Sequence, residues 1–305
     1  MGIDRLVYKV LCLGIVCMLT CSFLCSGCKG ADVKKDMDQP VKIGLLVDYT
    51  GSFASCGFDI TKGMELYFDE TGWKGNERKI KLIKEDSEMS GQVGLQKTRK
   101  LVENEKIDIL TGVVSSTVAY AIRDYVVGSK VPFIISNAGA SDLTRERGSK
   151  YIFRVSFSNG QYEYPMGTYA FNKLKYRKVV VMAPDYAAGH EKADGFIQGF
   201  KAAGGEIIQE IYPKLGTTDF GPYLAQVKAG DAVWAFFSGS DSISFVKQYS
   251  EFGLKNKMPL LSSGDMVDES SLPSQGDTAV VILSTHHYSA VLETPQNKKF
   301  VEAYK

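Results

Sequence analysis

At 305 residues the chain is too long for one small core and long enough for two α/β domains. A formal net charge of +1 at pH 7 excludes the strong basic bias that would mark a nucleic acid or an anionic membrane surface as the partner. An apolar fraction of 44% with 11% aromatics belongs to a globular chain rather than a disordered one.

The first segment in chain order is not part of a fold. Arg5 and Lys9 precede the apolar run LCLGIVCMLTCSFLCSGC, which describes an export signal over residues 1–28. The run is too short, and too close to the N-terminus, to be read first as a permanent transmembrane helix. Its ending, LCSGC (Leu24 to Cys28), resembles the lipobox of bacterial lipoproteins, with Cys28 as the lipidated residue and Cys25 in place of the usual aliphatic one. Plain secretion or an uncleaved anchor is the alternative. Cys12, Cys17, Cys21 and Cys25 fall within the signal, so Cys56 is the one cysteine of the folded part and no intramolecular disulfide is expected. Residues 29–40, KGADVKKDMDQP, are charged and aperiodic and read as a tether that holds the domain off a membrane.

From Val41 the texture changes. VKIGLLVDYTG, KIKLIKED, IDILTGVV and VPFIISNAG read as strands, separated by helical spacing in DITKGMELYFDETG, GQVGLQKTRKLVENEK and TVAYAIRDYVVGSK. After YIFRVSFSNGQYEYP the rhythm restarts with the strand RKVVVMAPDYAAG and the helix HEKADGFIQGFKAAGG. It continues through EIIQEIYP, a helix in FGPYLAQVKAG, AVWAFFSG, the helix SISFVKQYSEFG, MPLLSSG and AVVILSTHHYS. Strands alternating with helices over short connections predict parallel sheets flanked by helices, in two units of similar size.

In such sheets ligands sit beyond the carboxyl ends of the strands. The loops there are DYTGSFASCG, VVSST, SNAGAS, PDYAAGHE, YPKLGTTDF, FSGSDS and SSGDM, rich in small, hydroxyl and aromatic residues. No G-x-S-x-G elbow, P-loop or G-x-G-x-x-G occurs. His190 and Glu191 lack the second histidine of a zinc helix, and the adjacent His286 and His287 would point to opposite faces of a strand, so no metal site is expected. Asp185, Asp219, Asp241 and Asp265 sit in loops and also suit plain turn formation. Ser115, Ser116 and Thr117 stand in a row where a helix begins. One hydroxyl suffices to cap a helix; three suit an anion held by hydroxyls and free N–H groups.

Taken in order, VKIGLLVDYTGSFASCGFDITKGMEL, KEDSE, LTGVVSST, PFIISNAGASDLT, YIFRVSFSN, DYAAG and TTDF resemble the type I periplasmic binding proteins of ABC importers, in the leucine/isoleucine/valine-binding branch. The resemblance implies two Rossmann-like lobes with parallel sheets joined by a hinge: lobe 1 over 41–157, with 288–305 returning to it, and lobe 2 over 158–287. It also implies a monomer that captures a small molecule and docks on a membrane permease. Carried over position by position, it makes Ser115 the serine that holds a ligand carboxylate, flanked by Ser116 and Thr117. Asn137, Ala138, Gly139 and Ala140 form the facing loop, and Phe53, Cys56, Tyr162, Tyr186, Asp265 and His287 join the pocket.

Three positions depart from the amino-acid binders. Ala140 replaces a frequent threonine, Cys56 replaces a frequent aromatic, and Thr217 lies where an acid would meet a ligand ammonium. A buried ammonium without that acid is costly. An aromatic carboxylate therefore stands beside a branched-chain amino acid as the expected ligand, with Phe237 as a further candidate wall residue or a core one. The rival readings are the sensing lobe of a receptor and a lipoprotein enzyme. The chain stops at FVEAYK inside an expected helix, where the resemblance implies further elements and an exposed sheet edge.

Overall fold

A computed structural model describes residues 39–305 except Asn76. The expected signal, Cys28 and the tether up to residue 38 lie outside the described residues. Among the described residues no helix is long and apolar enough to cross a membrane.

Lobe 1 is built on a six-stranded sheet in the order β2-β3-β1-β4-β5-β6, and lobe 2 on a five-stranded sheet in the order β11-β10-β9-β7-β8. In lobe 1, β1 (Val41–Val47) lies between β3 (Arg78–Asp86) and β4 (Ile109–Gly112), all parallel. The parallel run continues through β5 (Phe133–Ile135) to β6 (Ile152–Arg154). Only β2 (Lys74–Gly75) is antiparallel. At the β6 edge Phe153 and Val155 are exposed. In lobe 2, β7 (Lys178–Met182), β8 (Glu206–Ile211), β9 (Ala232–Ala235), β10 (Leu260–Ser263) and β11 (Leu283–Thr285) are all parallel.

The apolar runs follow from burial on both faces. Along β7, Val179 and Val181 face one core with Phe196, Phe200 and Trp234. Val180 and Met182 face another with Phe237, Phe245 and Tyr249. The period of two is thus invisible as a polar/apolar alternation, because both sides are dry.

The helices are α1 (Ala54–Glu70), α2 (Gly91–Arg99), α3 (Ser116–Ser129), α4 (Glu163–Asn172), α5 (Ala187–Ala202), α6 (Gly221–Leu224), α7 (Ser240–Glu251), α8 (Leu272–Gln275) and α9 (Pro295–Tyr304). Helix α1 starts five residues before the stretch read from periodicity, because a 3-10 turn at Gly51–Phe53 runs straight into it. The helix read through FGPYLAQVKAG shrinks to the four residues of α6. Strand β11 ends at Thr285, so His286 and His287 lie beyond it and their rings come within 4.4 Å instead of pointing apart. The C-terminal α9 lies on α1, where the Tyr304 hydroxyl donates to Asp59 at 2.8 Å.

Helices α4 and α5 meet backbone to backbone. A Cβ on Gly167 would collide with the Phe196 carbonyl oxygen, and one on Gly199 with that of Tyr164. This close approach brings Glu163 of α4 against Lys192 of α5 at 2.9 Å.

Candidate functional site

The loops that leave the carboxyl ends of both sheets converge on one cleft. Lobe 1 contributes Phe53 after β1, Val114 and Ser116 after β4, and Asn137 and Gly139 after β5. Phe157 and Asn159 come from the segment that follows β6. Lobe 2 contributes Tyr186, Ala188 and Lys192 after β7, Phe236 and Ser238 after β9, and Asp265 after β10.

The row of hydroxyls divides its labour. Ser115 is the N-cap of α3, accepting from the Val118 N–H at 3.5 Å. Ser116 faces the cavity, where its Oγ accepts from the Asn159 amide at 3.2 Å. Thr117 points to solvent. The single turn of the helix separates the three, so only the middle one is offered to a ligand. In the facing loop Ala138 and Ala140 are buried in the lobe 1 core, and the Ala138 N–H is already bonded to the Val113 carbonyl at 2.9 Å. Gly139 lines the cavity beside the Asn159 side chain, which leaves no room for a Cβ.

Lobe 2 closes the cavity with a charged cluster. Lys192 is 2% exposed, on the same stripe of α5 as the buried Ala188 and Phe196. Its ammonium donates to Glu163 at 2.9 Å, Asp265 Oδ2 at 2.8 Å, the Ser263 hydroxyl at 3.4 Å and the Tyr162 hydroxyl. Three rings surround it, with centroids at 4.6 Å (Phe157), 4.3 Å (Tyr162) and 4.9 Å (Phe236). The Tyr162 hydroxyl donates in turn to Asp265 Oδ2 at 2.9 Å. Burial works against ionising Asp265, but the Lys192 ammonium, His286 and the donors around it hold its carboxyl well below the usual carboxylate range. Burial likewise works against the charge on Lys192, and Asp265, Tyr162 and Glu163 more than offset it, raising its pKa well above the ordinary value. Asp265 Oδ2 is thus saturated, while Oδ1 finds no hydrogen bond among the described residues and belongs to a side chain on the cavity wall.

The remaining candidates stand outside the cavity wall. Tyr162 acts through Asp265 and Lys192. His287 packs behind it, 4.9 Å from Phe157 and 6.0 Å from Tyr162 between ring centroids. Cys56 is half-buried, its thiol pushed up to about 12 by burial and by Asp268 and Asp265. Thr217 bonds to the Lys214 carbonyl at 2.6 Å in its own turn. Phe237 is a core residue stacked on Phe245, while Phe236 takes the wall, as alternation at the end of β9 requires. The Thr217 loop brings no acid to the cavity; the acid on its wall is Asp265, already among the candidates and reached from β10. Lys192, Asn159, Phe157 and Phe236 were missed. The one signal for Lys192 was its place on a stripe of alanine and phenylalanine.

Burial, then the neighbouring His286, depresses the pKa of His287. Its folded pKa therefore lies below the unfolded one, and its stabilising contribution is present above about pH 6.5 and lost as pH falls through the folded value. Denaturant melts between pH 7 and pH 5 should show stability falling with acidification, and His287→Gln should flatten that slope.

A family model described as periplasmic binding protein matches residues 40–305. An ABC transporter substrate-binding protein from Sphaerobacter thermophilus is 42% identical, with a TM-score of 0.79 over 87% of this chain and 74% of that one. A solute-binding protein of an R. palustris ABC transporter, solved in complex with benzoate, is 34% identical, with a TM-score of 0.83 over 87% of this chain and 73% of that one. Among curated relatives, Leu/Ile/Val-binding protein homolog 6 of Brucella melitensis is 31% identical over 86% of this chain and 68% of its own length. All three are named as binding proteins. The chain belongs to the periplasmic binding protein family, as an extracytoplasmic solute-binding protein of the ABC-transporter kind.

Proposed function

We propose that the cleft captures an aromatic carboxylate carrying a ring hydroxyl and that the loaded protein delivers it to an ABC permease. The observation that carries this reading is the composition of the cavity wall. Phe53, Phe157, Tyr186 and Phe236 supply flat apolar faces, Ser116 and Asn159 supply polar groups on one side, and Asp265 stands on the other. A ligand carboxylate is repelled by Asp265 and finds Lys192 already saturated, so it goes to the Ser116 hydroxyl, which accepts from Asn159 and is free to donate, and to the start of α3. The Oδ1 of Asp265, without a protein partner on the cavity wall, is open to a donor from the ligand. The benzoate held by the R. palustris protein supports the ring.

The same Oδ1 would also accept an ammonium, which keeps the branched-chain amino acids as the second reading. A melting screen with 4-hydroxybenzoate, benzoate and leucine separates them. Ligand at a hundredfold excess over its dissociation constant stabilises by about 2.7 kcal/mol. The largest shift is expected with 4-hydroxybenzoate, a smaller one with benzoate and none with leucine. A shift with leucine alone would overturn the aromatic reading. The proposal extends to lobe boundaries at 41–157 and 158–287, with 288–305 returning to lobe 1, to a monomer, and to a lipid on Cys28 as membrane anchor. Mass spectrometry of membrane-extracted protein tests the lipid.

A further inference from the structure

Two carboxylates of lobe 2 reach across the cleft to donors on lobe 1. Glu191, next to Lys192 on α5, accepts from the Tyr120 hydroxyl of α3 at 2.5 Å and from the Ser141 N–H at 3.0 Å. Asp241, in the first turn of α7, accepts from the Ser52 hydroxyl at 2.7 Å. Its other oxygen holds the Gly216 N–H of its own lobe at 2.8 Å. None of the cross-lobe bonds survives a hinge motion that parts the lobes.

The two differ in what stands behind them. The partners of Asp241 lie outside the cavity wall. Glu191 also accepts from the Asn159 amide at 2.9 Å, and that same nitrogen donates to Ser116 Oγ at 3.2 Å. Asn159 and Ser116 are both wall residues. The Asn159 amide gives one hydrogen to Ser116 and the other to Glu191, so a carboxylate accepting from the Ser116 hydroxyl steadies the amide whose other hydrogen Glu191 needs.

We propose that Glu191 is the positioning residue that ties occupancy of the cleft to closure of the lobes, through Asn159 on one side and Tyr120 and Ser141 on the other. The proposal rests on the cleft being the capture site. Glutamine in its place keeps the shape but removes the charge and exchanges one acceptor oxygen for a donor, so either Tyr120 or Ser141 loses its acceptor and the bonds are no longer charge-assisted.

The test is stopped-flow binding of 4-hydroxybenzoate to the wild type, Glu191→Gln, Tyr120→Phe and the double variant, with inter-lobe distances from a spin-label pair. Each single variant should dissociate roughly ten- to a hundredfold faster with little change in association, since charge-assisted bonds of this kind set residence time. The double variant should be no worse than the single ones, because both break the same contact. The ligand-free melting temperature should hold while the distance distribution moves toward the open form. Unchanged dissociation, additive effects, or a loss of ligand-free stability in step with affinity would overturn it and leave Glu191 a structural residue. Should the wild type bind none of the carboxylates tried, the ligand reading fails by itself. The latch is then judged on the ligand-free distances, where an unchanged distribution overturns it.

Discussion

Replacing Lys192 with methionine should lower the unfolding free energy by about 3–5 kcal/mol, the usual cost of breaking a buried ion pair from one side. Lys192 is 2% exposed and meets two carboxylates, the fully buried Glu163 and the largely buried Asp265, with the rings of Phe157, Tyr162 and Phe236 around the ammonium. Methionine fills the stem and removes the charge, so the loss reports stranded carboxylates rather than a void. Adding Glu163→Gln should recover part of it, because one stranded charge disappears. Denaturant unfolding of the three proteins checks this, and a loss under about 1 kcal/mol for Lys192→Met would mean that water reaches the cluster. Acid titration gives the sign independently. Asp265 has a depressed pKa, so its contribution is present above about pH 4 and lost as pH falls through its folded value. The raised pKa of Lys192 places its own loss far on the alkaline side.

Gly239→Ala is expected to weaken ligand binding by about a hundredfold, a difference of roughly 2.8 kcal/mol, with a smaller effect on melting. Gly239 has φ of +59° and ψ of −136°, and stands at the start of α7. A Cβ there would collide with the Ser52 carbonyl oxygen of lobe 1. Backbone cannot swing aside as a side chain can, so the clash is relieved by parting the lobes. Strain in the backbone itself adds about 1–3 kcal/mol to the closed and open forms alike, which is why affinity and stability separate. Calorimetric titration with 4-hydroxybenzoate beside a melt of the free protein measures both. Wild-type affinity in the variant would show that closure does not bring Gly239 onto Ser52.

The elements legible in the sequence are those where one physical signal dominates. Apolar runs ending in small residues marked β1, β4, β7 and β9, and the rule that ligands lie beyond strand ends placed Phe53, Ser116, Asn137, Gly139, Tyr186 and Asp265 on the cavity wall. Parity failed where a strand stopped: Phe236 and Phe237 exchange roles by one position, and His286 with His287 lie past the end of β11. Lys192 was hidden because lysine is normally a surface residue, and its burial depends on Glu163 and Asp265, 29 and 73 positions away. Asn159 and Phe157 belong to a segment that reads as a connection, and only the folded chain brings it against Ser116.

The filled coordination of Lys192 divides the cleft into a part that can be retargeted and a part that cannot. Phe53, Tyr186 and Phe236 contribute shape, and exchanging one for a smaller or larger apolar side chain changes which molecule fits without baring a charge. Lys192, Glu163 and Asp265 are mutually dependent, so a change at one demands a change at another before the protein folds as well as before. Libraries built on the ring positions should therefore yield folded receptors with new appetites, whereas diversity at the ionic trio would be spent mostly on chains that no longer close around anything.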